Sequence, residues 1–212
     1  MSGKRPNLDL FLEVEVKDKS GNILHIHRQK SKSLLKNFAQ MLSCMFTAER
    51  NTVSTTITNT SGTSQTFFAS FFGTNPSYTI GVAPLCMNAP AGNDTHGIQV
   101  GSGSTPVSRD DYKLDTKISH GSGSGQLQYG AMTIGIPNGT PPNTVFSVSR
   151  TFTNGSGADV TINEIGLVIL NCCYNPDYQL GYFLIARDVL SSPQTVGNGY
   201  SITVRYIFTI TA

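Results

Sequence analysis

His25 and His27 stand two apart in a run that starts apolar and ends basic. On a strand they share a face, and two imidazoles on one face can hold a metal. A third ligand would have to come from His96, His120 or a distant acid, so the pair is read as surface or interface histidines. Carboxylates are few. Asp110-Asp111 is the one adjacent pair, and neighbours on a strand face opposite ways. They would cooperate as acid and base only if a loop turned them together; a turn with Arg109 beside it is the reading taken. Glu13 and Glu15 share a strand face and read as its solvated side. Glu164 is a lone acid in an apolar run. A buried glutamate needs a partner, and Arg150 or Arg187 on a neighbouring strand can supply it, as a structural pair rather than a catalytic one.

The Gly-Ser runs at Gly101–Ser104 and Gly121–Gly125 lack the Lys-Ser/Thr and the helix that follow a phosphate loop, so they read as turns. No Gly-X-Ser-X-Gly elbow is present. Cys44, Cys86, Cys172 and Cys173 form no CxxC and no zinc-ligand spacing, and read as reduced thiols serving as small hydrophobes. No catalytic residue, metal or cofactor is assigned.

The basic run is different in kind. Arg28, Lys30, Lys32 and Lys36 lead into a helix start, where cations oppose the macrodipole. That local cost points to an anionic partner, either nucleic acid or an acidic neighbouring subunit; a solvated connector is the alternative. The run has no interleaved aromatics for base stacking, so any nucleic-acid contact would be to the phosphate backbone.

The elements that must position these residues are mostly strands. Leu8, Leu10, Leu12, Val14 and Val16 alternate with Asp9, Phe11, Glu13 and Glu15, which predicts a half-buried strand. Ser20-Gly21-Asn22 turns the chain into a second strand at Ile23–His27. One amphipathic helix is expected over Leu34–Phe46, with a stripe of Leu34, Leu35, Phe38, Met41, Leu42, Met45 and Phe46. Ser31 or Ser33 would cap it, and Lys36, Asn37, Gln40 and Ser43 would form its polar face. Further strands are expected near Thr52–Thr58, Thr66–Phe72, Gly97–Val100, Leu114–Ser119, Gln126–Ile134, Thr144–Thr153, Val160–Leu170, Tyr182–Val189 and Tyr200–Thr211. Asn154-Gly155-Ser156-Gly157 is expected to close a hairpin, and Gly197-Asn198-Gly199 a tight turn. The pattern predicts a mainly β chain: an antiparallel, jelly-roll-like β-sandwich forming a single domain over residues 1–212. The N-terminal hairpin and helix, residues 1–50, pack on it or extend it.

Charge distribution sharpens the functional expectation. The chain is 13% charged with a net charge of +2, against about 25% charged for a typical soluble domain. Asn51–Asn93 and Ile118–Ser149 contain no Asp, Glu, Lys or Arg. Charge normally keeps strand edges and apolar patches apart. Its absence points to surfaces covered by copies of the chain or by partners. Phe67, Phe68, Phe71, Phe72, Tyr78 and Tyr129, all in these blocks, are the expected subunit-interface residues. No stretch reaches the roughly 18 consecutive apolar residues of a membrane span, and Met1–Asp9 lacks the apolar centre of a signal peptide. Folding in a cytoplasm, without a membrane partner, is the expectation.

Several stretches then carry a resemblance. Gly97-Ile98-Gln99-Val100-Gly101-Ser102-Gly103-Ser104-Thr105-Pro106-Val107-Ser108 runs into Asp111-Tyr112-Lys113-Leu114. Gly125-Gln126-Leu127-Gln128-Tyr129-Gly130, Arg150-Thr151-Phe152-Thr153-Asn154 and Ile162-Asn163-Glu164-Ile165-Gly166-Leu167 follow, then Leu184-Ile185-Ala186-Arg187-Asp188-Val189-Leu190 and Gly199-Tyr200-Ser201-Ile202-Thr203-Val204-Arg205-Tyr206. This order resembles uncharacterised virion structural proteins of tailed bacteriophages and related prokaryotic viruses, over residues 97–212. The resemblance implies a non-enzymatic virion component that binds itself and other virion proteins in head, neck or tail, assembled in the host cytoplasm. It transfers no catalytic residue. A carbohydrate- or receptor-binding β-sandwich of a host-recognition fibre is the alternative; Trp is absent, which leaves Tyr78, Tyr174 and Tyr178 as its aromatic candidates.

Overall fold

The structure is a computed structural model that describes residues 7–31, 33–47, 54–68, 85–174 and 180–211. Ten strands and one helix lie in these residues, and every strand pair is antiparallel. The first strand, β1 (Asn7–Lys17), follows the alternation seen in the sequence. Leu10, Leu12, Val14 and Val16 are buried, while Glu13 and Glu15 lie on the other face. It pairs on one side with β2 (Ile23–Lys30) and on the other with the last strand, β10 (Ser201–Thr211). Then come β7 (Asn143–Thr153) and β6 (Gln128–Ile134), so this sheet runs β2-β1-β10-β7-β6.

The second sheet is organised by β8 (Val160–Tyr174), fifteen residues long. Along one side it pairs with β9 (Leu180–Val196). Along the other it pairs first with β5 (Gly97–Gly101) and then, at Cys173 and Tyr174, with β4 (Ser64–Phe68), which carries β3 (Ser54–Thr58). The inward faces of both sheets meet in one apolar core, with Leu12, Val204, Tyr206 and Phe152 from the first sheet and Ile98, Ile165, Leu167, Phe183 and Ile185 from the second. Every residue from Glu164 to Ile169 is buried, so β8 is covered on both faces. Its second face lies under residues 102–116: a Cβ on Gly166 would sit 2.8 Å from a Leu114 methyl. Leu35 packs beside it on Val168 and Leu184.

Several expectations change. Leu114–Ser119 is not a strand; only Lys117 makes an isolated bridge, to Gly101. The Asn154–Gly157 turn does not close a hairpin: β7 and β8 belong to different sheets, and so do β9 and β10, which Gly197–Gly199 joins. These two crossings are tied together by Asn154, fully buried, whose N–H donates to Tyr200 O while its own carbonyl accepts from Gly199 N–H, 2.9 and 2.7 Å. The helix α1 is Lys36–Thr47. Leu34 and Leu35 precede it in extended backbone against β9, where Leu35 N–H donates to Ile185 O. Met41 and Cys44 enter the core and Phe38 packs against it, but Phe46 is 80% exposed. Asn37, expected on the polar face, is buried: its amide donates to Thr58 O and Leu184 O, and its side-chain oxygen accepts from Thr58 N–H. The helix thus docks on β3 and β9 through an amide as much as through its apolar stripe.

Candidate functional site

The chemistry-bearing residues gather in two buried clusters. In the first, Glu164 is fully buried and Arg187 is 2% exposed. Arg187 Nε donates to Glu164 at 2.7 Å, one terminal nitrogen donates to Asp111 at 2.7 Å, and the other to Thr105 O at 3.0 Å. Glu164 also accepts from Asp115 N–H and Thr116 N–H, 3.1 and 2.7 Å. The carboxylate is therefore filled with donors, and Gly101 and Gly103 leave room for it: a Cβ on either would lie 2.5 or 2.6 Å from its oxygen. Burial alone would lower the Arg187 pKa; the two carboxylates outweigh it and hold the guanidinium above its ordinary value. The cluster fastens the segment 102–116 to the sheet. Of the two partners expected for Glu164, Arg187 is the one that meets it.

Beside it, Asp188 points the other way from β9. It is buried and accepts from Ser31 Oγ and Ser33 Oγ, both 2.8 Å, and from the Tyr206 hydroxyl at 3.2 Å. Burial, then the Asp188 charge, push the Tyr206 phenol well above its ordinary pKa. The serines expected to cap the helix instead hold the strand β2–helix connector onto β9.

The second cluster centres on Arg150 of β7, 1% exposed. It forms no ion pair among the described residues. All five N–H groups go to backbone carbonyls: Nε to Gly130 at 2.8 Å, one terminal nitrogen to His96 and Ile98 at 3.1 Å each, the other to Pro90 at 3.2 Å and to Asn93. Its guanidinium carbon lies 4.7 Å from the Tyr129 ring centroid, a cation–π contact. Burial pulls the Arg150 pKa down, and burial together with the Arg150 charge lowers that of His96.

The first cluster borders a depression of about 170 Å³ lined by Thr105, Asp111, Lys113, Asp115 and Arg187, while Glu164, Asp188 and Arg150 are buried. Among the described residues no three His, Cys, Asp or Glu side chains come together as metal ligands. His25 and His27 lie on the inner side of β2; His27 meets Gln29 at 3.0 Å and Ser191 at 3.4 Å. The Asp110-Asp111 pair splits as a turn would split it: Asp111 takes Arg187, and Asp110 faces Lys36 and Arg109. A groove of about 680 Å³ lies between the β1–β2 end and the β9–β10 turn, with Lys19, Leu24, His25, Asp159, Gln194 and Tyr200 among the residues in its walls.

The basic run does not converge. Arg28 lies over the Phe11 ring at 5.1 Å, Lys30 pairs with Asp9, and Lys36 pairs with Asp110 at 3.3 Å. Lys32 lies outside the described residues. Of the expected interface residues, Tyr129 requires correction. It is 2% exposed, packs edge-on against Phe152 at 4.7 Å, and donates its hydroxyl to Ile118 O at 2.6 Å. A ring that fills its own core offers nothing to a neighbour. Phe71, Phe72 and Tyr78 lie outside the described residues; Phe67 and Phe68 sit on β4, but only their backbone is described.

Sequence reasoning missed Asp188 with its two serines and the carbonyl cage of Arg150. The signal for the first was present, because Asp188 is an acid in an apolar strand just as Glu164 is. It also missed the exposed aliphatics of β2: Ile23, Leu24 and Ile26 are 53%, 55% and 52% exposed. No family model, curated protein or solved structure matches this chain. No helix among the described residues is long and apolar enough to cross a membrane.

Proposed function

We propose that this chain is a non-enzymatic structural subunit of a virus particle that associates with itself and with neighbouring virion proteins. The observation that carries the reading is the exposed aliphatic strand β2 on a chain only 13% charged. Scattered surface aliphatics are ordinary, but three within four residues of one edge strand leave that strand apolar where it meets solvent, as interaction surfaces are. The buried charges support the same reading, since Glu164, Arg187, Asp188 and Arg150 are each saturated by their own chain and hold loops in place. The resemblance of residues 97–212 to virion proteins of tailed phages supplies the setting, with head, neck and tail all open. The jelly-roll-like sandwich belongs to this proposal too. Its supports are the single core shared by two sheets and the pairing of the first strand with the last; the hairpins β1–β2, β6–β7 and β8–β9 within single sheets are its departures.

Native mass spectrometry of the purified chain tests the reading. A defined homo-oligomer is expected, and a monomer at micromolar concentration overturns it. The groove beside Tyr200 favours a second reading, a carbohydrate- or receptor-binding module, because its walls mix donors, acceptors and one aromatic ring. Retention on a glycan array, lost on Tyr200→Ala, would select that reading over the first.

A further inference from the structure

Sheets expose backbone groups at their edges, and the chain covers its edges one by one. The free side of β6 takes residues 89–92, with Met132 N–H donating to Ala89 O and Gly92 N–H to Tyr129 O. The free side of β5 takes residues 116–118, through Ser102 N–H to Thr116 O and Ile118 N–H to Val100 O. The free side of β9 takes residues 33–35, and β3 takes the side chains of Asn37 and Gln40 from the helix. Further along β9 the cover is the Gln29 side chain at Val189 and Ser191. On β2 itself, among the described residues, no backbone group bonds to the outer edge.

The ladder shows which groups that edge presents. Ser31 N–H donates to Leu10 O, and the β1–β2 register places Ser31 opposite Leu10. Hydrogen-bonded and non-bonded pairs alternate in an antiparallel ladder. Gln29, His27 and His25 therefore bond inward to β1, while Ile26, Arg28 and Lys30 turn their N–H and C=O outward. Long open edges are ordinarily blunted by charge. Here Lys30 is already paired with Asp9 and Arg28 lies on Phe11, whereas Ile23 to His27 contains no Asp, Glu, Lys or Arg.

We propose that the open edge of β2 is the contact through which two copies of this chain join, strand against strand about a two-fold axis at Ile26. The inference rests on the self-association proposed above and names its surface. Charge bears on the occupant and, with side-chain type, on the register. Outward-facing residues pair only with one another, so an axis at Ile26 or Arg28 puts a bonded pair on the two-fold and an axis at His25 or His27 a non-bonded pair; of these the axis at Ile26 joins two apolar side chains at the centre. An axis at Arg28 would set two guanidinium groups face to face, which is unfavourable in directly opposed pairs. An axis at Ile26 sets the two Ile26 side chains together and each Arg28 opposite the other copy's Leu24. The register shift of β2 at Leu24 ends the regular ladder there, so the contact spans Leu24 to Arg28. An acidic partner strand would find Arg28 and Lys30 already engaged; a second uncharged edge meets no such obstacle. The result is one continuous ten-stranded sheet, closed by its own symmetry.

The test compares the full chain with Ile26→Lys by native mass spectrometry and light scattering, and asks whether Ile26→Cys cross-links to itself under mild oxidation. Ile26 is half exposed on an edge, so both variants should keep the wild-type circular dichroism spectrum. Expected are an even-numbered oligomer for the wild type, a dissociation constant raised about tenfold or more in Ile26→Lys, and a disulfide dimer from Ile26→Cys at an unperturbed oligomer mass. An oligomer that survives Ile26→Lys, with no cross-link at residue 26, overturns this contact while leaving self-association intact. A wild-type monomer overturns both and assigns the edge to a different chain.

Discussion

Arg150→Met offers the sharpest test of what holds the long segment before β5 in place. The substitution keeps the aliphatic stem and removes five N–H donors and one charge. Five carbonyls lose a donor, Gly130, His96, Ile98, Pro90 and Asn93, of which Pro90 keeps the Asn93 N–H. Water can reach Pro90, which is exposed, and Asn93 and Gly130, which are partly so; His96 and Ile98 are buried. An orphaned buried acceptor costs about 1–3 kcal/mol, so the two inaccessible carbonyls together cost about 2–6 kcal/mol. A loss near 4 kcal/mol is a large part of the 5–15 kcal/mol that typically separates folded from unfolded. Arg150→Lys supplies three donors from one point and cannot span five carbonyls, so it should recover roughly half of that loss. Urea unfolding followed by circular dichroism measures both, with the slope unchanged and the midpoint lowered. Hydrogen exchange should quicken in residues 87–98 before it quickens in β10. If Arg150→Met unfolds within about 1 kcal/mol of wild type with normal protection in that segment, the carbonyl cage is not what orders it.

Glu164→Gln should cost about 3–5 kcal/mol, because it leaves Arg187 buried with only the partly exposed Asp111 as counter-charge. Adding Arg187→Met should cost much less than the two single losses summed, and additive losses in thermal unfolding would show that the pair is not coupled. Gly101→Ala should destabilise by roughly 2 kcal/mol, since its Cβ would lie 2.5 Å from the Glu164 oxygen and 2.6 Å from Thr116 O; Gly125→Ala, with nothing within 4 Å but a φ of +72°, should cost only about 1 kcal/mol. His96 is held neutral by burial and by the Arg150 charge, which places its folded pKa below the unfolded value of about 6.5. The unfolded chain then binds the extra proton first, so stability should fall as pH drops below about 6.5 and level off only beneath the folded pKa. His96→Phe should flatten that part of the profile, and an unchanged slope would assign it to other groups.

How much of this was legible depended on where each residue finds its partners. The β1 strand was readable because one face meets the core and the other meets water, which writes a period of two into Leu10, Leu12, Val14 and Val16. Leu114–Ser119 has a similar texture and is not a strand, because the Asp115 and Thr116 amides are taken by a glutamate forty-nine and forty-eight residues away. Nothing local records that competition. Asn37 fits a polar face by periodicity, yet β3 offers it the backbone partners that make burial favourable. Tyr129 sits in an uncharged block that is mostly exposed, and the lack of charge does not mark out the few residues, Leu127, Tyr129 and Met132 among them, that enter the core. Glu164 could be assigned a partner in advance because an acid in an apolar strand has few ways to exist. Arg150 was considered only as a counter-ion, and a cage of five carbonyls, four from residues 90–98 and one from β6, leaves no mark in sequence.

These placements bear on assembly as well as on stability. The chain has few charges, and it commits several to the interior as loop anchors: Glu164 and Arg187 for residues 102–116, Asp188 for the connector after β2, Arg150 for the segment before β5. Of the basic run, Lys30 and Lys36 are neutralised on the spot by Asp9 and Asp110. What then faces outward on β2 from Ile23 to Ile26 is mostly backbone and aliphatic side chain, with Arg28 and Lys30 following. Contacts built from such groups gain from desolvation and from strand hydrogen bonds, neither of which is screened by salt, whereas phosphate contacts weaken steeply as counterions compete. An oligomer held by β2 should therefore persist as ionic strength rises, and the same titration should release any nucleic acid held by Arg28, Lys30 and Lys36. Ionic strength separates the two partners that the sequence alone left open.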